Sequence, residues 1–340
     1  MDINLQTAIS KGRLPANVPL TNISVAYLQQ MKNSAIEFFP EVKVKLSSSY
    51  FYKFSKEDLL RDDVRDKPIL GAVDPTIVGY ETDNYKCKPK QIIMGLDEII
   101  QSDLLRTGAP GMMDIYKEKS KVIAQKIFIH RNKEFAKNFF NENAWSNTQE
   151  GGTDGAADFI QFDNASSTPI EYFDQLKIDM RRETGLTPNK LGLGIKVFTD
   201  LKNHPQIKEK VIYGGSTANP ALVTEQALAE ILGIEKIVVF DAIWNSADLG
   251  AKENTQFICD ETSALLVHAA PSPSIDTATA GYTFAWDMGL GAHLPIVTWE
   301  GPKPTYSQYI GGMMSFDMRK VCDDLGVFLK SAVAPAPKKD

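Results

Sequence analysis

The chain is poor in most of what announces a catalytic or membrane-bound protein. Cysteine is scarce, 3 in 340 residues. Cys87, Cys259 and Cys322 lie far apart, and an odd, scattered set argues against a disulfide framework. Each reads as a small apolar residue, and the simplest setting is a reducing cytoplasm. Histidine is scarcer still for the length, at 4. His130, His204, His268 and His293 are dispersed, none at metal-ligand spacing from another. His204, just before Pro205, reads as a residue that caps or follows a helix. Positive charge is not in excess: 37 Lys and Arg stand against 43 Asp and Glu, a net −6. Tight nucleic-acid binders carry a basic surplus that is missing here. Long apolar runs are missing too, since clusters such as Ile237-Val238-Val239-Phe240 are far too short to span a bilayer. Met1-Asp2-Ile3-Asn4 has neither the basic nor the apolar region of a signal peptide. The glycosylation-like triplets Asn22-Ile23-Ser24 and Asn164-Ala165-Ser166 therefore carry no weight.

The usual site signatures fail in turn. There is no phosphate loop of the Gly-x-x-x-x-Gly-Lys type. Gly192-x-Gly194 lacks the third glycine, because Val197 stands in its place, so it reads as a tight strand-to-helix join and not a dinucleotide site. Gly214-Gly215-Ser216-Thr217-Ala218 misses a nucleophile elbow by its last residue and reads as a turn. No His-Glu-x-x-His and no Cys-x-x-Cys occurs. No residue is singled out as catalytic, cofactor-binding or metal-binding, and no enzyme is expected.

What is present is a well-patterned globular chain. An apolar content of 43% excludes disorder, collagen and coiled coil as the whole architecture. Its length allows one large domain or two to three smaller ones. Up to about Asn33 the sequence reads as an extended arm with a short helical turn near Val25–Met31. Val42, Val44, Leu46, Tyr50, Tyr52 and Phe54 then recur at period two, which predicts a strand. A second extended run follows from Thr76 to Ile93. Between them, Lys53 to Lys67 holds five basic residues (Lys53, Lys56, Arg61, Arg65, Lys67) and five acidic ones (Glu57, Asp58, Asp62, Asp63, Asp66). This is a two-stranded excursion with a charged tip. A lone hairpin is marginal in water, so it must lie on its own body or on a neighbouring subunit; its length favours a subunit contact over a solvated loop.

Asp97 to Leu105 predicts a short helix. Asp114 to Phe140 predicts a long one, with Ile115, Val122, Ile123, Ile127, Phe135 and Phe139 at three- and four-residue steps. Its other face carries Lys117, Lys119, Lys121, Lys126, Arg131, Lys133 and Lys137 against Asp114, Glu118 and Glu134. That stripe suits either a polyanion or plain solvent. After the joint Gly151-Gly152-Thr153-Asp154-Gly155, helices are predicted at Pro169–Thr184, Ile195–Lys202 and Thr224–Leu232, the last stopped by Gly233. Strands are predicted at Leu191–Gly194, Ile237–Phe240, Ser263–Val267 and Gly281–Trp286, with short ones around Tyr309, Met313–Ser315 and Val327–Leu329. The tail from Ala334 reads as disordered.

Several stretches, in order, resemble a known family. They are Phe38-Phe39-Pro40-Glu41-Val42-Lys43-Val44; Tyr85-Lys86-Cys87 with Asp97-Glu98; Gly185-Leu186-Thr187-Pro188-Asn189-Lys190-Leu191-Gly192-Leu193-Gly194; Leu201-Lys202-Asn203-His204-Pro205-Gln206-Ile207; Val211-Ile212-Tyr213; Ala227-Leu228-Ala229-Glu230-Ile231-Leu232-Gly233-Ile234; Ala242-Ile243-Trp244-Asn245-Ser246-Ala247; and Gly281-Tyr282-Thr283-Phe284-Ala285-Trp286. Across residues 38–333 the chain resembles the major capsid proteins of tailed double-stranded DNA bacteriophages, which share the Hong Kong 97-type capsid fold.

The resemblance implies an α+β fold with an N-terminal arm (1–40), an extended β-hairpin loop (41–95), a peripheral domain with a spine helix (96–150 with 302–333), an axial domain (151–301) and a flexible tail (334–340). It implies hexamers and pentamers that close an icosahedral phage head around DNA, in a virion assembled in the host cytoplasm. Scaffolding, cement and portal proteins are the partners it implies, with weak, sequence-independent contact to DNA and none to membranes. Some forty residues ahead of the loop are too few for a built-in scaffolding domain, which suggests a separate scaffold or none. Arg61, Asp62, Asp63, Arg65 and Asp66 at the loop tip are expected to pair with charges on the next subunit. Two other readings stand beside this: an encapsulin-like compartment shell with the same fold, and a soluble α/β enzyme.

Overall fold

The computed structural model describes residues 34–39, 41–54, 60–67, 69, 71, 73, 80–106, 112–154, 156–214, 223–248, 250–270, 278–289, 294–302, 304 and 306–335. Most of the arm, the last residues of the tail, His293 and the Gly215-Ser216-Thr217-Ala218 turn lie outside them. In chain order the elements are α1 (Ser34–Phe38), β1 (Glu41–Val44), β2 (Ser48–Phe54), β3 (Tyr80–Lys86), β4 (Lys88–Asp97), α2 (Glu98–Arg106), α3 (Met112–Asn138), a 3-10 turn (Glu142–Ala144), β5 (Asn147–Gly152), β6 (Phe159–Ile160), α4 (Pro169–Thr184), β7 (Lys190–Gly194), α5 (Ile195–Asn203), α6 (Pro205–Gly214), α7 (Glu225–Leu232), β8 (Lys236–Phe240), β9 (Ile243–Asn245), β10 (Thr255–Phe257), β11 (Ala264–Val267), β12 (Gly281–Trp286), β13 (Ile296–Glu300), β14 (Ser307–Lys320) and β15 (Gly326–Lys330).

Helix ends follow local chemistry. The Thr224 hydroxyl accepts the Ala227 N–H at 3.2 Å and so caps α7, and Gly233 closes that helix with φ 59°. Pro169 opens α4, where its missing N–H costs nothing, and Gly185 ends it at φ 74°.

Two larger sheets and two hairpin pairs are seen among the described residues. One sheet runs β6-β5-β15-β11-β7-β8. Its central strands are continuous apolar runs because both faces are covered. Alternate side chains serve opposite layers. Val238, Phe240, Leu265, Val267 and Phe328 enter one core with Phe38 and Phe135, from α1 and α3. Ile237, Leu191, Leu193, Ala264, Leu266, Val327 and Leu329 enter the other, with Phe173, Leu201 and Leu228 from α4, α5 and α7. The first core is ring-rich: Phe38 lies 5.9 Å from Phe135 and 5.6 Å from Phe240, and Phe39 lies 4.4 Å from Phe139. Burying each such ring contributes roughly 1.5–3 kcal/mol.

The other sheet is built on β14. One edge pairs with β4 from Ser307↔Asp97 to Phe316↔Lys88. The opposite edge takes β13 along Gln308–Gly312 and β12 along Phe316–Lys320. β1 adds in parallel outside β12. A strand of 14 residues is about 46 Å long and a helix of 27 about 40 Å, so α3 can lie along β14. They approach closely: a Cβ on Gly312 would come 2.4 Å from Ile123 Cγ2, so only glycine fits.

Several expectations need correction. The single strand from Val42 to Phe54 is two, β1 and β2, with different partners. The break at Lys45–Ser47 leaves Leu46 62% exposed. The short strands near Tyr309 and Met313 are one continuous β14, whose Gly311-Gly312 stays in the ladder because α3 packs there. Val122 falls off the apolar face of α3 and is exposed. Arg131 leaves the basic stripe altogether. It is buried and ion-paired to Glu41 on β1.

Candidate assembly surfaces

The excursion is a paired hairpin, β2 on β3, in register from Ser48↔Lys86 to Phe54↔Tyr80. Two strands alone are marginal, and its root shows what holds it. Tyr85 stacks on Phe284 of β12 at 4.5 Å, and Phe51 meets the same ring at 5.3 Å. Cys87 is buried beside them, its thiol 3.6 Å from the Phe284 carbonyl oxygen, and burial pushes that thiol up to about 11. It is a packing residue and not a nucleophile. The Lys86 N–H donates to Asp317 Oδ2 at 2.8 Å, and Arg319 holds the same oxygen. Farther out, Lys53 pairs with Asp83 at 2.7 Å and holds that carboxyl below its ordinary value, mainly through the hydrogen bond. Both are partly solvated, so the pair is worth roughly 0–1 kcal/mol.

At the tip, Arg61, Asp62, Arg65 and Asp66 are exposed and Asp63 is half-buried. Asp62 Oδ1 accepts the Val64 N–H at 3.1 Å and shapes the turn. Val64 is 92% and Ile69 96% exposed. Leu60, just before the charged run, lies beside Gly185, where an added Cβ would be 3.7 Å away.

The α3 stripe is partly solvent-facing. Lys117, Lys126, Lys133 and Lys137 are exposed, while Lys119 reaches back to the Gly95 carbonyl oxygen at 3.5 Å. Lys133 sits over the Trp244 ring, 3.5 Å from its centroid. That contact ties α3 to the β9–β10 pair. Between them runs an open groove of about 850 Å³. No sequence signal marked this groove, because Trp244 and Phe257 are far from Lys133 along the chain.

The remaining candidates are structural. His204 is buried between α5 and α6. Its Nδ1 accepts the Gln206 N–H at 3.2 Å, so Nε2 carries the proton toward Ser167 Oγ, 3.1 Å away. Burial holds its pKa below the usual histidine value. His130 is also lowered, by burial first and then by Lys90. Asn164, of the glycosylation-like triplet, closes its own turn on Ser166 at 3.0 Å. Lys190 is a residue sequence reasoning passed over except as part of the resemblance. Its Nζ donates to the carbonyl oxygens of Glu37 and Phe38 at 3.0 and 2.8 Å and so pins the end of α1 to β7. Among the described residues, no group of three or more His, Cys, Asp or Glu could hold a metal ion, and no helix is long and apolar enough to cross a membrane.

This architecture has counterparts among solved structures. A phage-related protein from Bordetella bronchiseptica RB50 matches over 95% of this chain and 99% of its own, with TM-score 0.69 and 19% identity. The capsid of cyanophage P-SCSP1u matches over 86% of each chain, with TM-score 0.51 and 11% identity. This is the phage-capsid fold. An encapsulin from Synechococcus elongatus PCC 7942 shares it over 91% of each chain, with TM-score 0.50 and 9% identity. In sequence, the chain is 33% identical over 84 residues to the major capsid protein of Burkholderia phage BcepMu. That match spans 25% of this chain and 26% of that relative. No family model matches the chain. The likeness to phage major capsid proteins expected from the ordered stretches is thus found in both comparisons. In this phage-capsid fold the loop and the long helix are elements of one continuous architecture, joined through β4 and β14.

Proposed function

We propose that this chain is a phage major capsid protein, structural and not catalytic. Its copies form hexamers and pentamers that close an icosahedral head around double-stranded DNA, in a virion assembled in the host cytoplasm. One observation carries this reading: a phage-capsid fold along nearly the whole chain, with a hairpin packed at its root on β12 and bearing exposed apolar residues at its tip. Surface of that kind marks a contact with another molecule. In this reading residues 1–40 are the arm, 41–95 the loop, 96–150 with 302–333 the peripheral part, 151–301 the axial part and 334–340 the tail. Across the 301/302 boundary the strands interleave: β12 and β13 pair with β14, while β15 pairs with β11. Scaffolding, cement and portal proteins are the partners such a head could use.

Negative-stain microscopy and light scattering of the expressed protein, alone and with a scaffolding partner, test the proposal. Closed shells or capsomer rings are expected. A monodisperse monomer under both conditions would overturn it. The encapsulin likeness supports a second reading, a compartment shell. Nucleic acid inside the particles favours the phage head, and cargo enzyme favours the compartment.

A further inference from the structure

One carboxylate on α3 stands between an ammonium and an imidazole. Glu134 Oε1 lies 3.5 Å from Lys90 Nζ on β4 and 4.0 Å from His130 Nε2, one turn earlier on its own helix. The Lys90 contact ties β4, the strand that follows the hairpin, to the long helix. Both nitrogen groups also meet Phe316 of β14. Lys90 Nζ is 4.5 Å from that ring's centroid, and the His130 ring is 6.3 Å away. His130 Nε2 is shielded from solvent and makes no hydrogen bond. The charges around this site are Lys88 and Lys90 from β4, Arg131, Lys133 and Glu134 from α3, and Glu41 from β1, which holds Arg131. From β14 it is the Phe316 ring that faces the imidazole.

We propose that His130 is an acid-sensitive switch on the tie between β4 and the long helix. While neutral, it leaves Glu134 to Lys90. A proton taken from solvent makes it a second cation competing for the same carboxylate oxygen. It competes from within the helix, so its pairing with Glu134 holds no strand. Lys90 then stands beside a new positive charge and loses its partner, and β4 loosens from α3. The proton returns to solvent on neutralisation, so the switch is reversible. Burial first, and then Lys90, oppose the charged imidazole, which puts the exchange below the ordinary histidine value of 6.5. The inference concerns a single chain and is independent of the shell reading.

The test uses the full-length chain. Hydrogen exchange at the histidine C2 position, read by mass spectrometry, gives the His130 midpoint. Backbone amide exchange across residues 88–97 reports the strand. The midpoint should lie below 6.5, rise in Lys90→Met and fall further in Glu134→Gln. In wild type the β4 amides, corrected for the intrinsic effect of pH, should exchange up to roughly fivefold faster as pH falls through that midpoint, the scale of one lost ion pair. In His130→Gln they should not. His204 also titrates below 6.5, so His204→Gln should keep the β4 effect.

A midpoint moved by neither Lys90→Met nor Glu134→Gln overturns the inference. An equal acceleration in β15 also overturns it, because the whole chain then loosens together. Should the variants not fold, the wild-type curves decide: β4 amides that do not follow the His130 midpoint overturn it.

Discussion

At the residue scale, close approach and burial decide what each position tolerates. Gly326 is the sharpest case. A Cβ there would lie 2.2 Å from the Trp145 ring, and that ring is held by its Nε1–H donating to the Phe139 carbonyl oxygen at 2.7 Å. The ring cannot swing away, so Gly326→Ala should cost about 1–3 kcal/mol, read from urea unfolding. An unchanged midpoint would mean that the backbone yields instead. His204 gives a pH dependence. Its folded pKa is below the ordinary 6.5, so between the two values the unfolded chain binds more protons. Its contribution is therefore complete above pH 6.5 and is lost as pH falls from there through the lower folded value. His204→Gln should show a shallower loss of stability on acidification than wild type. Parallel curves would remove this assignment.

At the element scale, one ring sits at the centre of the loop hairpin's root. Phe284 meets both Tyr85 and Phe51, and it lies in a small satellite cluster with Cys87 and Tyr282. Phe284→Ala should cost about 3–5 kcal/mol in that cluster. Because β2 and β3 pair only with each other among the described residues, proteolysis between residues 54 and 80 should quicken more than cleavage elsewhere. Cleavage that accelerates equally throughout would mean the root is not an independent anchor. The element boundaries also show where pattern suffices. Thr224 and Gly233 announced α7, and the apolar runs at Ile237–Phe240 and Gly281–Trp286 announced β8 and β12, because caps and buried strands are encoded within a few residues. The sequence predicts β14 as fragments, because its Gly311-Gly312 looks like a break. What keeps it whole is the packing of Ile123 from a helix nearly two hundred residues earlier.

At the scale of the whole molecule, the proposed function lies in contacts between copies. Charge reversal at Arg61 and Arg65 together should abolish or distort particles while leaving thermal unfolding of the unassembled chain nearly unchanged. Exposed pairs contribute only roughly 0–1 kcal/mol each, so their effect is on register more than on folding. Normal particles from the double variant would remove the tip from the interface. DNA binding should be weak and fall steeply with salt, as expected for a chain of net charge −6. Nanomolar, salt-resistant binding in a filter assay would contradict a packaging wall.

The sequence by itself determined the absence of any recognised catalytic signature, the two-stranded excursion with its charged tip, the long helix and the buried strands beyond the glycine joint. These are local facts, set by periodicity, capping and turn chemistry. The tertiary structure decided what depends on distant residues meeting. It buried Arg131 against Glu41, took His204 into a hydrogen-bonded join, pinned α1 through Lys190, and set Trp244 over Lys133 to open a groove. Each pairing closes a long loop of chain, and its partner is chosen by packing and desolvation in three dimensions, which spacing along the chain does not encode.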